Sequence, residues 1–338
     1  MVYRADIDGL RALSIIAVIF FHAELALFRG GFVGVDVFFV ISGYLVAMIM
    51  LEDQKKSRFS LFLFYERRVR RIFPALLIMV SLVGFVGVVL LPEKKLVSLI
   101  ESMVATNLFF SNFYFWEKTD YFAPNSLTTP LLHMWSLGIE LQYYILLPIF
   151  LLVISRLGRV KQLTLLITVG IISFFLSDST LRGGEASLNF YSLHTRAWEL
   201  IFGSVTAFLY RYHRPMPNNL LATLGLLAII FCIALFDESI PFPSTFTIVP
   251  VTGTILIILF ADNDKYLSRV LSAKPLVSVG LLSYSLYLWH QPVLAFWHNP
   301  VLSFGLNLPE SSVKTLMLIL LMLIISIISW KYVEAPFR

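Results

Sequence analysis

Cysteine is all but missing from this sequence. Cys232 is the only one in 338 residues, so no internal disulfide can form, and a lone thiol in an apolar run is most simply a small packed residue that says nothing about compartment. Charge is nearly as scarce: Asp, Glu, Lys and Arg make up 14% of the chain, against about 25% in a soluble domain. Hydrophobic residues make up 58% and mean hydropathy is +0.82. No soluble domain, internal repeat or low-complexity tract can be found. These shortages exclude a soluble enzyme and point to an all-α polytopic membrane protein, a single transmembrane domain over residues 1–338. The net charge of +5 is carried by short basic clusters between apolar runs. Such clusters set topology and do not form the continuous patch of a nucleic-acid partner.

What is abundant is apolar runs, rich in the 30 Phe, 14 Tyr and 6 Trp that suit lipid-facing surfaces and interfacial belts. Spans are expected near residues 8–28, 32–51, 73–91, 134–154, 163–178, 195–210, 219–236, 246–261, 275–298 and 314–333, so about ten in all, near the ~20 residues a crossing helix needs. Lys55, Lys56, Arg58, Arg67, Arg68, Arg70 and Arg71 crowd the stretch after the second run, which places it, and both termini, in the cytoplasm. The stretch 96–116 is long enough to cross but holds Glu101, Asn107, Ser111 and Asn112. Counted as a span, it would send the basic residues Arg156, Arg159, Lys161, Arg211, Arg214, Lys265, Arg269 and Lys274 outside. It is therefore read as a re-entrant or interfacial segment on the outer side. The first run lacks an evident cleavage site and is read as an uncleaved span.

The few ionisable residues inside the runs are concentrated. A charge at the bilayer centre costs about 2.5–3.5 kcal/mol even on insertion scales, so one that is kept there usually faces protein and has a task. Arg11 and His22 are eleven residues apart, three helical turns plus about 20°, which sets them on one face roughly 16 Å apart. Past Gly30-Gly31, Asp36 enters the second run. At the depth of His22, its carboxylate would orient the imidazole as a general base. The plainer alternative is that the two merely hydrogen-bond helices together. Later runs add His133, Trp135 and Glu140, then Arg196 and Glu199 three apart on one face, then Tyr284 and His290. His22, Asp36, Glu140, Arg196, Glu199 and His290 are all expected in the outer half of the membrane, around a polar cavity. No metal is expected, because the histidines lack ligand spacing. On the inner side, Arg67, Arg68, Arg70 and Arg71 either mark topology or grip phosphate.

Taken in order, these blocks resemble the acyltransferase 3 family of membrane-integral acyltransferases. The resemblance spans the chain: Arg11 and His22 with ten residues between them, Gly30 to Leu45, Arg67 to Pro74, His133 to Tyr144, Arg196 to Gly203, Gly280 to Pro292, and Val333 to Arg338. It implies an O-acyltransferase of the bacterial inner membrane. The acyl group, usually acetyl, would pass from cytoplasmic acyl-CoA to a hydroxyl of an extracytoplasmic envelope glycan such as lipopolysaccharide or peptidoglycan, with no permanently bound cofactor. In that reading His22, Asp36, Arg11 and Glu140 form the catalytic group, and Arg67, Arg68, Arg70 and Arg71 hold the CoA phosphates. Ser42, His133, Trp135, Arg196, Glu199, Tyr284 and His290 line the cavity, with Ser42, Tyr284 and Arg196 as candidates to stabilise an oxyanion. Glu140 departs in context, since the family often has Glu-Glu-Gln where this chain has Glu140-Leu141-Gln142. Direct transfer and an acyl-enzyme both stay open. Partners besides membrane lipid would include an extracytoplasmic domain or protein, because many relatives carry a hydrolase-like domain that these residues lack. The rival class is transport, as a glycolipid flippase or proton-coupled transporter. The missing repeat and the missing pair of broken helices speak against it.

Overall fold

A computed structural model describes residues 3–56, 59–118, 121–122, 124–261, 266–298 and 312–337. Among them every regular element is helical. In chain order these are α1 (Ala5–His22), α2 (Gly34–Lys55), α3 (Leu61–Leu90), α4 (Glu93–Asn107), α5 (Ser111–Lys118), α6 (Met134–Val153) and α7 (Arg159–Arg182). There follow α8 (Ala186–Tyr191), α9 (Leu193–Tyr212), α10 (Asn219–Leu235), α11 (Ile248–Phe260), α12 (Tyr266–Leu271), α13 (Lys274–Trp297) and α14 (Ser312–Ser329). Gly31–Lys55, Leu61–Leu90, Met134–Val153, Arg159–Arg182 and Thr315–Phe337 are long and apolar enough to cross a membrane, and α10 and α11 are shorter apolar helices. Arg58 and Lys265, whose charges bear on the expected topology, and Arg338 lie outside the described residues.

Two departures from expectation bear on function. α3 begins at Leu61, so the arginine block forms its first turns instead of a loop. Ser60 caps it by accepting from the Leu63 N–H, and Glu66 pairs with Arg70 one turn on at 3.2 Å, which supports a helix there. α1 ends at His22, and residues 23–33, expected to be partly span and partly a simple turn, include two short 3₁₀ turns, Ala26–Phe28 and Gly31–Val33.

The chain divides into two compact units, residues 1–59 with 139–281 and residues 60–138 with 282–338, the boundaries falling inside α6 and α13. In the first unit, α2 and α9 approach so closely that a Cβ on Gly43 would stand 1.9 Å from the Leu200 oxygen and one on Gly203 2.1 Å from the Val40 oxygen. Only glycine allows backbones to meet at that range. Ser204 of α9 donates to the Gly43 oxygen at 3.0 Å and lies 2.7 Å from the Tyr143 hydroxyl of α6. The N-terminus is tied in by half-buried Arg4, which donates to the Ile258 oxygen near the end of α11 at 2.7 Å and closes on Asp6 at 2.6 Å. That contact satisfies one of the carbonyls a helix leaves free at its C-terminus.

In the second unit α4 runs back along α3. Leu99 and Met103 fill the space above Gly87 and Gly84, and the rings of Phe109 and Phe73 meet at 5.6 Å. The chain reverses at Phe109, whose φ is 64°, and α5 returns along α4, with Tyr114 donating to the Ser98 oxygen at 3.0 Å. Residues 96–116 are thus a helical hairpin and not one continuous span.

Candidate functional site

His22 ends α1 and is buried. Its Nδ1 lies 2.8 Å from the Val18 oxygen, one turn back. A backbone carbonyl only accepts, so Nδ1 carries the hydrogen, and in the neutral ring Nε2 keeps the lone pair. The imidazole is therefore oriented as a base by its own helix. Arg11, three turns lower, meets Asp8 at 3.3 Å, and Tyr3 donates to the other Asp8 oxygen at 2.8 Å. Asp8 escaped notice in the sequence, although its spacing of three from Arg11 on a helix was the available signal.

The expected pairing of His22 with Asp36 does not occur. After α1 the chain folds back beside it, bringing Gly31 against the Ala17 oxygen and Gly34 against the Ser14 oxygen. Asp36 consequently sits near the level of Ser14, eight residues or about 12 Å along the axis from His22. Its neighbours are on α9: Arg196 at 3.0 Å, and the adjacent Glu199 carboxyl. Arg196 also meets Glu199 at 3.3 Å. The Arg196 side chain is 1% exposed and both carboxylates are 0% exposed, and the rings of Phe39, Phe190 and Phe242 surround the guanidinium at 5.3, 5.5 and 5.6 Å. A buried guanidinium costs several kcal/mol unless it is paired, and that demand takes Asp36 away from the imidazole. Arg196 and Glu199 are held by Asp36 and by each other instead of lining an open cavity.

Nor do the remaining residues share one depth. Ser42 of α2 donates to the Glu140 carboxylate of α6, and both are half-buried. Ser42 lies six residues, or about 9 Å, beyond Asp36 along α2, so His22, Asp36 and Glu140 occupy three levels of the first unit.

His133, Trp135, Tyr284 and His290 belong to the second unit. Pro292 has no N–H, so the Leu288 carbonyl loses its helical partner, and His133 Nε2 donates to it at 3.2 Å. The His133 and His290 rings lie 5.0 Å apart. His290 Nδ1 donates to the Tyr287 oxygen at 2.7 Å, and the Tyr287 hydroxyl donates to the His133 oxygen at 2.8 Å. Tyr284 donates to the Ile72 oxygen at 2.8 Å, and Trp135 packs on Tyr121 at 5.9 Å.

The arginine block splits by face. Arg68 and Arg71 are half-buried on the side of α3 that carries buried Phe64 and Ala75, whereas Arg67 and Arg70 are exposed. Arg68 lies over the Phe64 ring at 5.6 Å. Among the described residues no carboxylate pairs with Arg71, and no cluster of metal-ligating side chains is present.

A family model described as an acyltransferase domain matches residues 4–331. The chain is 33% identical to the peptidoglycan O-acetyltransferase OatA of Listeria monocytogenes over 99% of its own length and 56% of that relative. It is 33% identical to the putative peptidoglycan O-acetyltransferase YrhL of Bacillus subtilis over 86% and 49%, and 28% identical to the O-acetyltransferase OatA of Staphylococcus aureus over 99% and 57%. The chain thus spans about half the length of the curated relatives it matches. No solved structure matches it. With the Arg11 and His22 helix, the glycine-rich entry to α2 and the basic start of α3 all inside the matched region, the chain belongs to the acyltransferase 3 family.

Proposed function

We propose that this chain transfers an acetyl group from cytoplasmic acetyl-CoA to a hydroxyl of an extracytoplasmic cell-wall glycan, as the names of its relatives suggest for peptidoglycan. It would work as a multi-pass protein of the bacterial cytoplasmic membrane, with both termini inside and the α4–α5 hairpin re-entering from outside. The observation that carries the reading is the His22 imidazole, fixed by the Val18 carbonyl with Nε2 as its basic nitrogen, on the same helix face as Arg11.

Nε2 takes the proton of the incoming hydroxyl, and the oxygen attacks the thioester carbon. The carbon–sulfur bond breaks, and the departing thiolate takes the proton back as free thiol, so atoms and charge balance. Arg11 sits nearer the donor side and steers the thioester. Arg68 and Arg71 hold the phosphates of CoA through charge-assisted contacts, for which arginine is suited. Ser42 gives its single hydroxyl hydrogen to Glu140 and so has none to offer a developing oxyanion while that bond stands.

The test is purified full-length protein in lipid nanodiscs, given acetyl-CoA and cell-wall glycan chains. Thiol release and ester formation should both require glycan. His22→Ala should lower the rate by roughly 10²–10⁴-fold with acetyl-CoA binding intact. Acetyl-CoA consumption that neither needs glycan nor responds to His22→Ala would overturn the proposal.

A further inference from the structure

The Asp36–Arg196–Glu199 cluster holds two carboxyl groups against one guanidinium, all at most 1% exposed. Fully ionised, it would bury one uncompensated negative charge. The Asp36 and Glu199 carboxyls also lie close enough to act on each other directly, and two adjacent carboxyls sealed from water beside a single cation cannot both ionise, so one of them carries a hydrogen. Geometry identifies the carrier. Asp36 is nearer the guanidinium, 3.0 Å against 3.3 Å, and lies in the first turn of α2, where the helix dipole favours an anion. Glu199 lies past the first turn of α9. Among the described residues the Cys232 thiol of α10 also lies within reach of Asp36, and a thiol has no positive charge with which to supply the missing balance.

The cluster is also joined to the proposed base through stacked rings. The Arg196 guanidinium lies 5.6 Å from the Phe242 ring, Phe242 meets Phe32 at 4.8 Å, Phe32 meets Phe21 at 5.5 Å, and Phe21 meets the His22 imidazole at 5.1 Å. All of these residues belong to the first unit. Three rings thus form an unbroken line of contact between the Arg196 guanidinium and His22, within a close-packed core.

We propose that Glu199 is a positioning residue that acts as a neutral acid: it shares one proton with Asp36, keeps the cluster electrically balanced, and so fixes the ring column against which the His22 imidazole is set. This rests on His22 being the base, and the experiment separates the two ideas. Full-length protein in nanodiscs would be compared as Glu199→Gln, Glu199→Ala, Asp36→Asn and the double variant Asp36→Asn with Glu199→Gln. Infrared spectra would record the carbonyl stretch of a protonated carboxylic acid, which shifts in heavy water, and kcat and KM would be measured for acetyl-CoA.

Glu199→Gln copies the neutral acid and should remove the carboxylic-acid band while kcat stays within about threefold, because charge balance is preserved. Glu199→Ala should lower kcat about tenfold or more at unchanged KM for acetyl-CoA, since the column loses its support but the donor site does not. Asp36→Asn moves the negative charge to Glu199 and should fall between them. The double variant leaves Arg196 without an anion and should lose far more folded protein than the two single effects combined. The band is read without any turnover, so it stands even if His22 proves not to be the base. An acid band that persists in Glu199→Gln, a Gln variant as impaired as the Ala variant, or a double variant that is simply additive would each overturn the proposal.

Discussion

Arg196 and Arg71 make opposite uses of the same side chain. Arg196 is enclosed by Asp36, Glu199 and three phenyl rings, with 1% of its side chain exposed. Arg71 is half-buried near the start of α3, with no carboxylate paired to it among the described residues. A guanidinium already matched by protein carboxylates has nothing left to offer a ligand. One that is partly desolvated but unmatched is held ready for an anion. The difference places Arg196 in the seam between α2 and α9, and it is the ground on which the proposed function gives Arg71 an anionic substrate.

The largest effect is expected from breaking the enclosed side. Arg196→Leu keeps an apolar side chain among the rings but strands two carboxyl groups, and removing one partner of a buried pair costs about 3–5 kcal/mol. Much of the variant should fail to reach the membrane as folded protein, and what does should melt well below the parent in a thermal shift assay. If Arg196→Leu were as stable as the parent, Asp36 and Glu199 could not be paired in the way described.

That pairing marks where reading the sequence stopped. Helix positions were legible because apolar runs end at charges, glycines and prolines: the spans expected at 134–154, 219–236 and 275–298 became α6, α10 and α13 to within one residue at each end. Arg196 with Glu199 was legible too, because i,i+3 is a local relation. The partner of Asp36 was not, since it lies 160 residues away and depends on how far the chain folds back after α1. The hydrogen-bond acceptor that orients His22 was also hidden, because a backbone carbonyl leaves no trace in residue type. The start of α3 was missed because its arginines resemble a loop to any reading guided by hydropathy, while Ser60 and the Glu66–Arg70 pair favour a helix.

On the open side the effect should be smaller and of another kind. Replacing Arg68 and Arg71 together by Ala should weaken acetyl-CoA binding by roughly 10–150-fold, since a hydrogen bond to a charged group contributes about 1.5–3 kcal/mol. The melting temperature should hardly move, in contrast to Arg196→Leu. Parent binding should also weaken as salt is added, because half-exposed charges are screened, and the double variant should lose most of that dependence. Unchanged affinity in this variant would make the block a topology signal and nothing more.

The smallest effect sharpens the comparison most. Arg70 belongs to the same basic run but points away from the packed face, 61% exposed and bonded to Glu66 at 3.2 Å. Exposed i,i+4 pairs contribute only about 0.3–0.5 kcal/mol. Arg70→Ala should therefore leave stability within about 0.5 kcal/mol and acetyl-CoA affinity within about twofold. It removes the same formal charge from the same four-arginine stretch as Arg71→Ala would. If donor binding depended only on the net positive charge near this end of α3, the two single variants would weaken it equally. If it depends on an unmatched guanidinium held on the packed face, Arg71→Ala will lower affinity about tenfold or more while Arg70→Ala will not. Equal loss in both would replace a specific phosphate contact with a diffuse electrostatic one. It would also remove the distinction drawn between the two faces of α3.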